Sequence, residues 1–169
     1  MRKLLFIIAI SSELCSPDLL LAAEIKEQLC AENLPESTPS EHFIVQSDSA
    51  TVLHKTTNLV WHRCLLGQQF EQGQCSGEPI VFSQRNTAGK ILAVDNPTLS
   101  LEQELLKTPG WRIANEKEQL SIVEYRCVFP RLNTEIFPGY RKSFSDNNQI
   151  FSLSDFIGNK GVYRLVKDH

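Results

Sequence analysis

The chain has 169 residues, of which 41% are hydrophobic and 22% are charged, and its formal net charge is -3. This length is enough for one sizeable hydrophobic core and short for two, so the sequence predicts a single domain. The slight negative charge argues against general nucleic-acid binding, which needs a dense surface of lysine and arginine to displace counterions from phosphates.

Residues 1–23 have the pattern of a secretory signal peptide. Arg2 and Lys3 supply the positive n-region, and Leu4 to Ile10 supply a short apolar h-region. An apolar stretch this short cannot span a bilayer. The alternative is an uncleaved N-terminal helix, because Leu21 and Ile25 continue a four-residue apolar spacing. We predict an exported protein, whether periplasmic, at the cell surface or secreted.

Residues 24–41 are predicted as an N-terminal segment and connector, and residues 42–169 as the domain that follows. The stretch Asn33 to Ser40 is rich in proline, serine, threonine and glutamate and has no hydrophobic periodicity. Such a composition is typical of an extended connection between structured elements.

The cysteines also favour export. Of the five in the chain, Cys15 lies in the predicted signal peptide, which leaves an even set of four, as exported disulfide-bonded domains have. Four cysteines allow three pairings, and the sequence cannot choose among them. The simplest pairing joins Cys64 to Cys75 and Cys30 to Cys127. A zinc site is disfavoured, because no pair has the spacing of about two to four residues that structural zinc ligands show.

After the connector, the predicted elements begin with a β-hairpin. Its arms are Thr51–Lys55 and Leu59–Cys64, and Asn58 in the turn suits a positive φ. A helix capped by Ser83 is then predicted to run towards Val94, and a second helical segment covers Leu99–Leu106.

A short strand that leads into a capped helix is the most informative segment of the chain. Asn115 is placed as N-cap, and Glu118 can reach back to the N–H of the cap, as in a capping box. Leu120, Val123 and Cys127 fall on one helical face, so this helix is predicted to end at the cysteine. A last strand is predicted over residues 162–166. The pattern indicates an α+β fold with a mainly antiparallel sheet, two or three short helices and disulfide staples.

Several motifs occur in a characteristic order. They include Thr57-Asn58-Leu59-Val60-Trp61-His62-Arg63-Cys64, Cys75-Ser76-Gly77, Gly110-Trp111-Arg112-Ile113-Ala114-Asn115 and Tyr163-Arg164-Leu165-Val166. Over nearly the whole mature chain this order resembles the Lcl C-terminal domain family, named for the terminal domain of a bacterial collagen-like adhesin. The resemblance implies an exported binding module of C-type-lectin-like architecture.

The chain departs from the family pattern in a loop. An aromatic-Ser-Ser-Thr segment of the family is missing or cut down to the stretch Tyr140 to Ser145. Because loops on a rigid scaffold usually carry the recognition groups, the ligand surface is expected to be reduced or altered.

Basic side chains are the candidate ligand-binding groups, because arginine matches the planar oxyanions of a sulfated glycan. The alternative is an ordinary solvated surface, since these residues are spread through an acidic chain. The candidates are Arg63, Arg85, Lys90, Arg141 and Lys142, together with the neighbouring Tyr140.

Four further residues are predicted to be structural. Trp61 and Trp111 could stack on sugar rings, but a tryptophan in a strand more often lies in the core with its N–H satisfied. Arg112 and Glu118 are predicted to form an ion pair or cap at the strand-to-helix junction.

No catalytic, metal or cofactor site is predicted. A nucleophile needs a base within hydrogen-bond reach, and no serine or cysteine motif of that kind occurs. His54 and His62 lie on facing arms of the hairpin, but the turn does not place them directly opposite each other. We therefore predict no catalytic activity, and the family resemblance implies a module that recognises a glycan or other surface ligand. The alternative is a structural or assembly component of the bacterial envelope, with an envelope protein as its partner.

Overall fold

The computed structural model describes residues 28–83, 86–128, 130–138 and 160–169. Over these ranges the fold consists mostly of short antiparallel strands, with two short α-helices and one 3-10 helix. This confirms the predicted α+β class. The predicted signal peptide lies outside the described residues.

The strands, in chain order, are β1 (Leu29–Cys30), β2 (Phe43–Val45), β3 (Thr51–His54), β4 (Leu59–His62), β5 (Gln69–Glu71), β6 (Gln74–Ser76), β7 (Phe82–Ser83), β8 (Arg112–Ile113), β9 (Cys127–Val128), β10 (Lys160–Gly161) and β11 (Leu165–Asp168). The helices are α1 (Leu101–Leu106) and α2 (Glu116–Leu120), and the 3-10 helix Ser40–His42 precedes β2. A central five-stranded sheet has the order β2-β3-β4-β11-β8, and β1 with β9, β5 with β6 and β7 with β10 form two-stranded sheets.

The predicted hairpin is confirmed as β3 and β4. Thr51 pairs with His62 and His54 pairs with Leu59, and Asn58 in the connecting turn has a φ of 56°. Asparagine tolerates this left-handed conformation better than most residues, which is why the chain can reverse here.

The main hydrophobic core covers one face of the central sheet. Val52, Trp61 and Val166 are fully buried there, and Phe137 packs edge-on against Trp61 with ring centroids 6.5 Å apart. Burying one such side chain contributes roughly 1.5 to 3 kcal/mol. A second cluster contains Phe82, Ala93, Leu101 and Tyr163.

The predicted helical segment at Leu99–Leu106 is present as α1. Ser100 caps it, because its hydroxyl accepts a hydrogen bond from the N–H of Gln103 at 3.2 Å, and the Gln103 side chain accepts one from the N–H of Ser100 at 2.8 Å. This reciprocal capping satisfies two N–H groups that the helix leaves open.

The helix predicted from Ser83 towards Val94 is wrong. Ser83 ends β7, and its N–H donates to the carbonyl of Leu92 at 2.8 Å. A turn lies between them, in which Gly89 has a φ of 75° and the Asn86 side chain accepts from the N–H of Lys90 at 2.9 Å. Glycine and asparagine in these roles favour the turn over the helix.

The helix at Asn115 starts as predicted but does not continue to Cys127. It ends at Leu120, and Cys127 lies in β9. The physical reason is that Val123 bridges to Leu132 and Glu124 turns its side chain to the N-terminal segment, so the tertiary contacts override the helical spacing.

The final strand is shifted towards the C-terminus. It was predicted over residues 162–166, and the structure has β10 at Lys160–Gly161 and β11 at Leu165–Asp168. In the parts of the chain that the structure describes, no helix combines the length and apolar character that a membrane crossing requires.

Candidate functional site

Two disulfides frame the domain, and they are the simplest of the three pairings. Cys30 is bonded to Cys127 and Cys64 to Cys75, with sequence separations of 97 and 11. The long bridge lies within the β1–β9 pair, where Cys30 and Cys127 are directly opposite each other. It ties the N-terminal segment to the domain.

Glu124 holds the same N-terminal segment from inside the protein. The residue is 3% exposed. Its carboxylate accepts hydrogen bonds from the N–H of Thr38 at 3.0 Å, the hydroxyl of Thr38 at 3.0 Å and the N–H of Ser37 at 3.2 Å. The Arg126 N–H adds a bond at 3.3 Å. Sequence reasoning missed this residue, because nothing in its local pattern distinguishes it from a surface glutamate.

The strand-to-helix junction is held by a connected set of polar contacts. Arg112 donates to both carboxylate oxygens of Glu118, at 2.7 and 2.8 Å. Glu118 also accepts from the N–H of Asn115 at 2.8 Å, and the Asn115 side chain accepts from the N–H of Glu118 at 3.0 Å. The hydrogen bond from Arg112 lowers the pKa of Glu118. These groups bind one another, which favours a structural role.

Trp61 belongs to the core. Its side chain is 0% exposed, and its position on the inner face of β4 excludes contact with a ligand. The expectation that its N–H would be satisfied is wrong, since the indole Nε1 has no hydrogen-bond partner among the described residues. An unpaired buried N–H costs about 1 to 3 kcal/mol.

Trp111 has a different environment and is only partly buried. Its ring meets the ring of His62 edge-on, with centroids 4.0 Å apart, and the Nζ atom of Lys167 lies 4.7 Å from the indole centroid. We call Trp111, His62 and Lys167 the aromatic platform. Trp111 immediately precedes β8, His62 lies in β4 and Lys167 in β11, all on the face of the sheet opposite the main core.

The two histidines of the hairpin do not form a metal pair. Thr51 lies opposite His62, and His54 is three residues further along β3. Since successive side chains alternate across a strand, His54 and His62 point to opposite faces of the sheet. His54 stacks on Phe43 with centroids 4.7 Å apart. Among the described residues, no group of three or more potential metal ligands occurs.

Both histidines make stability depend on pH. Burial lowers the pKa of His54 and of His62, and the charge of Arg164 lowers the pKa of His62 further. Below the unfolded value of 6.5 the unfolded chain therefore binds protons that the folded chain does not. We expect a lower urea midpoint at pH 5.5 than at pH 7.5, and a smaller difference in the double variant His54→Gln/His62→Gln. An unchanged midpoint in the native protein would contradict this.

Arg63 is not available as a ligand group. Its guanidinium donates to the carbonyls of Ile136 at 2.8 Å, Glu135 at 2.8 Å and Ser49 at 3.0 Å, and it lies over the Phe70 ring at 4.4 Å. These bonds hold the loop before Phe137 against the sheet, which is a structural function.

Lys90 lies at an open groove of about 200 Å³, beside Ile91, Leu101 and Leu105. This groove is mainly apolar, so it does not resemble a site for a sulfated sugar. The remaining candidates, Arg85, Tyr140, Arg141 and Lys142, lie outside the described residues, and their role stays a prediction.

The platform combines one residue that the sequence indicated, Trp111, with two whose part in it was missed. The signal is the alternation along the strands: Trp111 and Ile113 share one face, as do Leu165 and Lys167. This alternation brings Trp111 next to Lys167 only because β8 pairs with β11, and no local sequence pattern predicts that pairing.

Comparison of the chain with known protein families, with characterised proteins and with solved structures found no match.

Proposed function

We propose that the protein is an exported, non-catalytic binding module that recognises a glycan on the aromatic platform. The observation that carries this proposal is the partial exposure of Trp111 beside His62 and Lys167 on a regular sheet. A large aromatic ring that is partly accessible to solvent on a rigid scaffold is a feature of many recognition surfaces.

The chemistry of the platform suits a sugar. The indole of Trp111 offers a flat apolar surface to the C–H groups of a pyranose ring where Lys167 and His62 leave it open. The Lys167 ammonium over the ring and the His62 imidazole beside it offer polar contacts. Burial lowers the pKa of His62, which favours the neutral imidazole, and this form can both donate and accept hydrogen bonds with hydroxyl groups.

Export and a C-type-lectin-like architecture are part of the same proposal. The two disulfides support export, because such bonds persist in oxidising compartments and are rare in the cytosol. The mainly antiparallel sheet, the short helices and the capped junction at Asn115 support a lectin-like layout. Export and the lectin-like layout are both proposals, because the α+β class by itself establishes neither.

The test is glycan binding by the native protein and by Trp111→Ala, measured on an array of neutral and sulfated glycans. We expect the substitution to weaken binding to the best glycan at least tenfold, about 1.4 kcal/mol. Tyr125→Ala is the matched control, because Tyr125 is an aromatic residue that is 56% exposed elsewhere on the surface. It is expected to leave binding unchanged.

Two outcomes would overturn the proposal. The first is that the native protein is retained by no glycan at low salt. The second is that Trp111→Ala, shown by its thermal transition to be folded, binds as tightly as the native protein. Specific retention of an envelope protein in place of a glycan would favour the assembly function.

A further inference from the structure

We infer that β2 is a self-association surface, through which two copies of the chain join their central sheets edge to edge. The strand lies at one end of the five-stranded sheet and is hydrogen-bonded only to β3 in the described part of the chain. Its residues Phe43, Ile44 and Val45 include no charge and no proline. Charged residues and prolines usually protect an exposed sheet edge from pairing with another chain.

The hydrogen-bond register shows which groups face outwards. Ile44 pairs with Leu53, and the pair is bracketed by bonds from the Lys55 N–H to the His42 carbonyl at 2.9 Å and from the Gln46 N–H to the Thr51 carbonyl at 3.0 Å. In this antiparallel pattern Ile44 directs its N–H and C=O at β3, whereas the neighbouring residues direct theirs away from the sheet.

The outward groups are complementary to themselves. Phe43 uses its N–H in a bond to the Ser40 carbonyl, so its carbonyl and the N–H of Val45 remain for a partner. A two-fold axis beside Ile44 places Phe43 level with Val45 of the second copy. The Val45 N–H of each copy then donates to the Phe43 carbonyl of the other.

The side chains favour the same register. Ile44 is 48% exposed and Val45 is 46% exposed. The two-fold arrangement sets Ile44 against Ile44 of the second copy in a close, non-hydrogen-bonded pair, and it places Val45 level with Phe43. The flanking Glu41 and Asp48 come level with Ser47 and Ser40 of the second copy and not with one another. These features favour a second copy over an unrelated partner strand.

The dimer would have ten strands in one continuous sheet. Cross-strand pairing links Lys167 to Val60, Val60 to Leu53 and Leu53 to Ile44 on the face that carries the platform. The two platforms would be seven strand spacings apart, about 34 Å from β11 to β11 along the sheet, and the usual twist of about 20 to 25° per strand would turn them to face different directions. The dimer does not depend on the proposed function.

The test is sedimentation equilibrium of the purified, oxidised chain over a wide range of concentration, without glycan. We expect the average mass to rise towards twice that of the monomer, and Ile44→Lys to stay monomeric throughout. Leu34→Lys is the matched control, because Leu34 is also 48% exposed but is not part of β2. It is expected to dimerise like the native chain.

Hydrogen exchange supplies a second readout on the native chain. The Val45 amide should exchange more slowly as concentration rises, and this dependence should vanish in Ile44→Lys. A native chain that stays monomeric at its highest soluble concentration would overturn the inference. So would an Ile44→Lys variant that dimerises as the native chain does.

Discussion

Replacement of Cys30 and Cys127 by serine is expected to lower the free energy of unfolding by about 4 to 5 kcal/mol, the largest effect of any change considered for this protein. The bridge spans 97 positions of the chain, and closing so long a loop removes much conformational entropy from the unfolded state. It also fixes the β1–β9 pair, which includes the start of the described chain.

Urea unfolding of the double serine variant, followed by tryptophan fluorescence, measures this effect. The matched control is the variant with Cys64 and Cys75 replaced by serine. Its bridge closes a loop of only 11 positions, so we expect a smaller loss of about 3 kcal/mol. If the variant without the Cys64–Cys75 bridge were the less stable one, the explanation of disulfide stabilisation by loop entropy would be wrong.

Glu124→Ala is expected to cost about 3 kcal/mol of stability or more. The carboxylate is nearly inaccessible to solvent, and its removal leaves the N–H groups of Ser37 and Thr38 without their acceptors. Burial raises the pKa of Glu124, but the hydrogen bonds from Thr38, Ser37 and Arg126 outweigh it, so the pKa lies below its ordinary value. The stability from these bonds is present above pH 4.5 and is lost as the pH falls below it.

Denaturant unfolding at neutral and acid pH tests the role of Glu124. Glu124→Gln keeps the shape but replaces one accepting oxygen with a donor, so we expect a smaller loss than for alanine and a weaker acid dependence. Glu32→Ala, at an exposed position of the same N-terminal segment, is expected to change stability by less than about 0.5 kcal/mol. A Glu124→Ala protein as stable as Glu32→Ala would refute the anchoring role.

Local signals predicted the elements that depend on neighbouring residues. The hairpin formed because Asn58 can adopt a positive φ between two apolar strands. The capping box at Asn115 formed as predicted, because the cap and its partner are three residues apart, and the box at Ser100, which was not predicted, has the same spacing. Such interactions act within one turn of chain, so the sequence alone contains the information.

Elements that depend on distant contacts were missed. The spacing of Leu120, Val123 and Cys127 suits a helix, but Glu124 binds Thr38, 86 positions away, and that contact ends the helical pattern. The segment after Ser83 formed a turn because its backbone pairs with Leu92. Tertiary hydrogen bonds of this kind outweigh helix propensities of less than about 1 kcal/mol per residue.

In the candidate site too, the sequence indicated which residue types matter but not which sheet face each side chain occupies. Trp61 and Trp111 are similar in sequence context, since both lie near strands, yet Trp61 is fully buried and Trp111 is partly exposed. The difference arises from the sheet face on which each side chain lies, and the face depends on the register of β4 with β11 and of β11 with β8. A one-residue shift in register would exchange the two faces.

Non-reducing peptide mapping of the protein, isolated from its native location, tests the central claim that this is an exported domain framed by two disulfides. We predict one linked peptide pair that contains Cys30 and Cys127 and a second that contains Cys64 and Cys75. Recovery of all four cysteines as free thiols would show that the two disulfides are absent and would remove the argument for export.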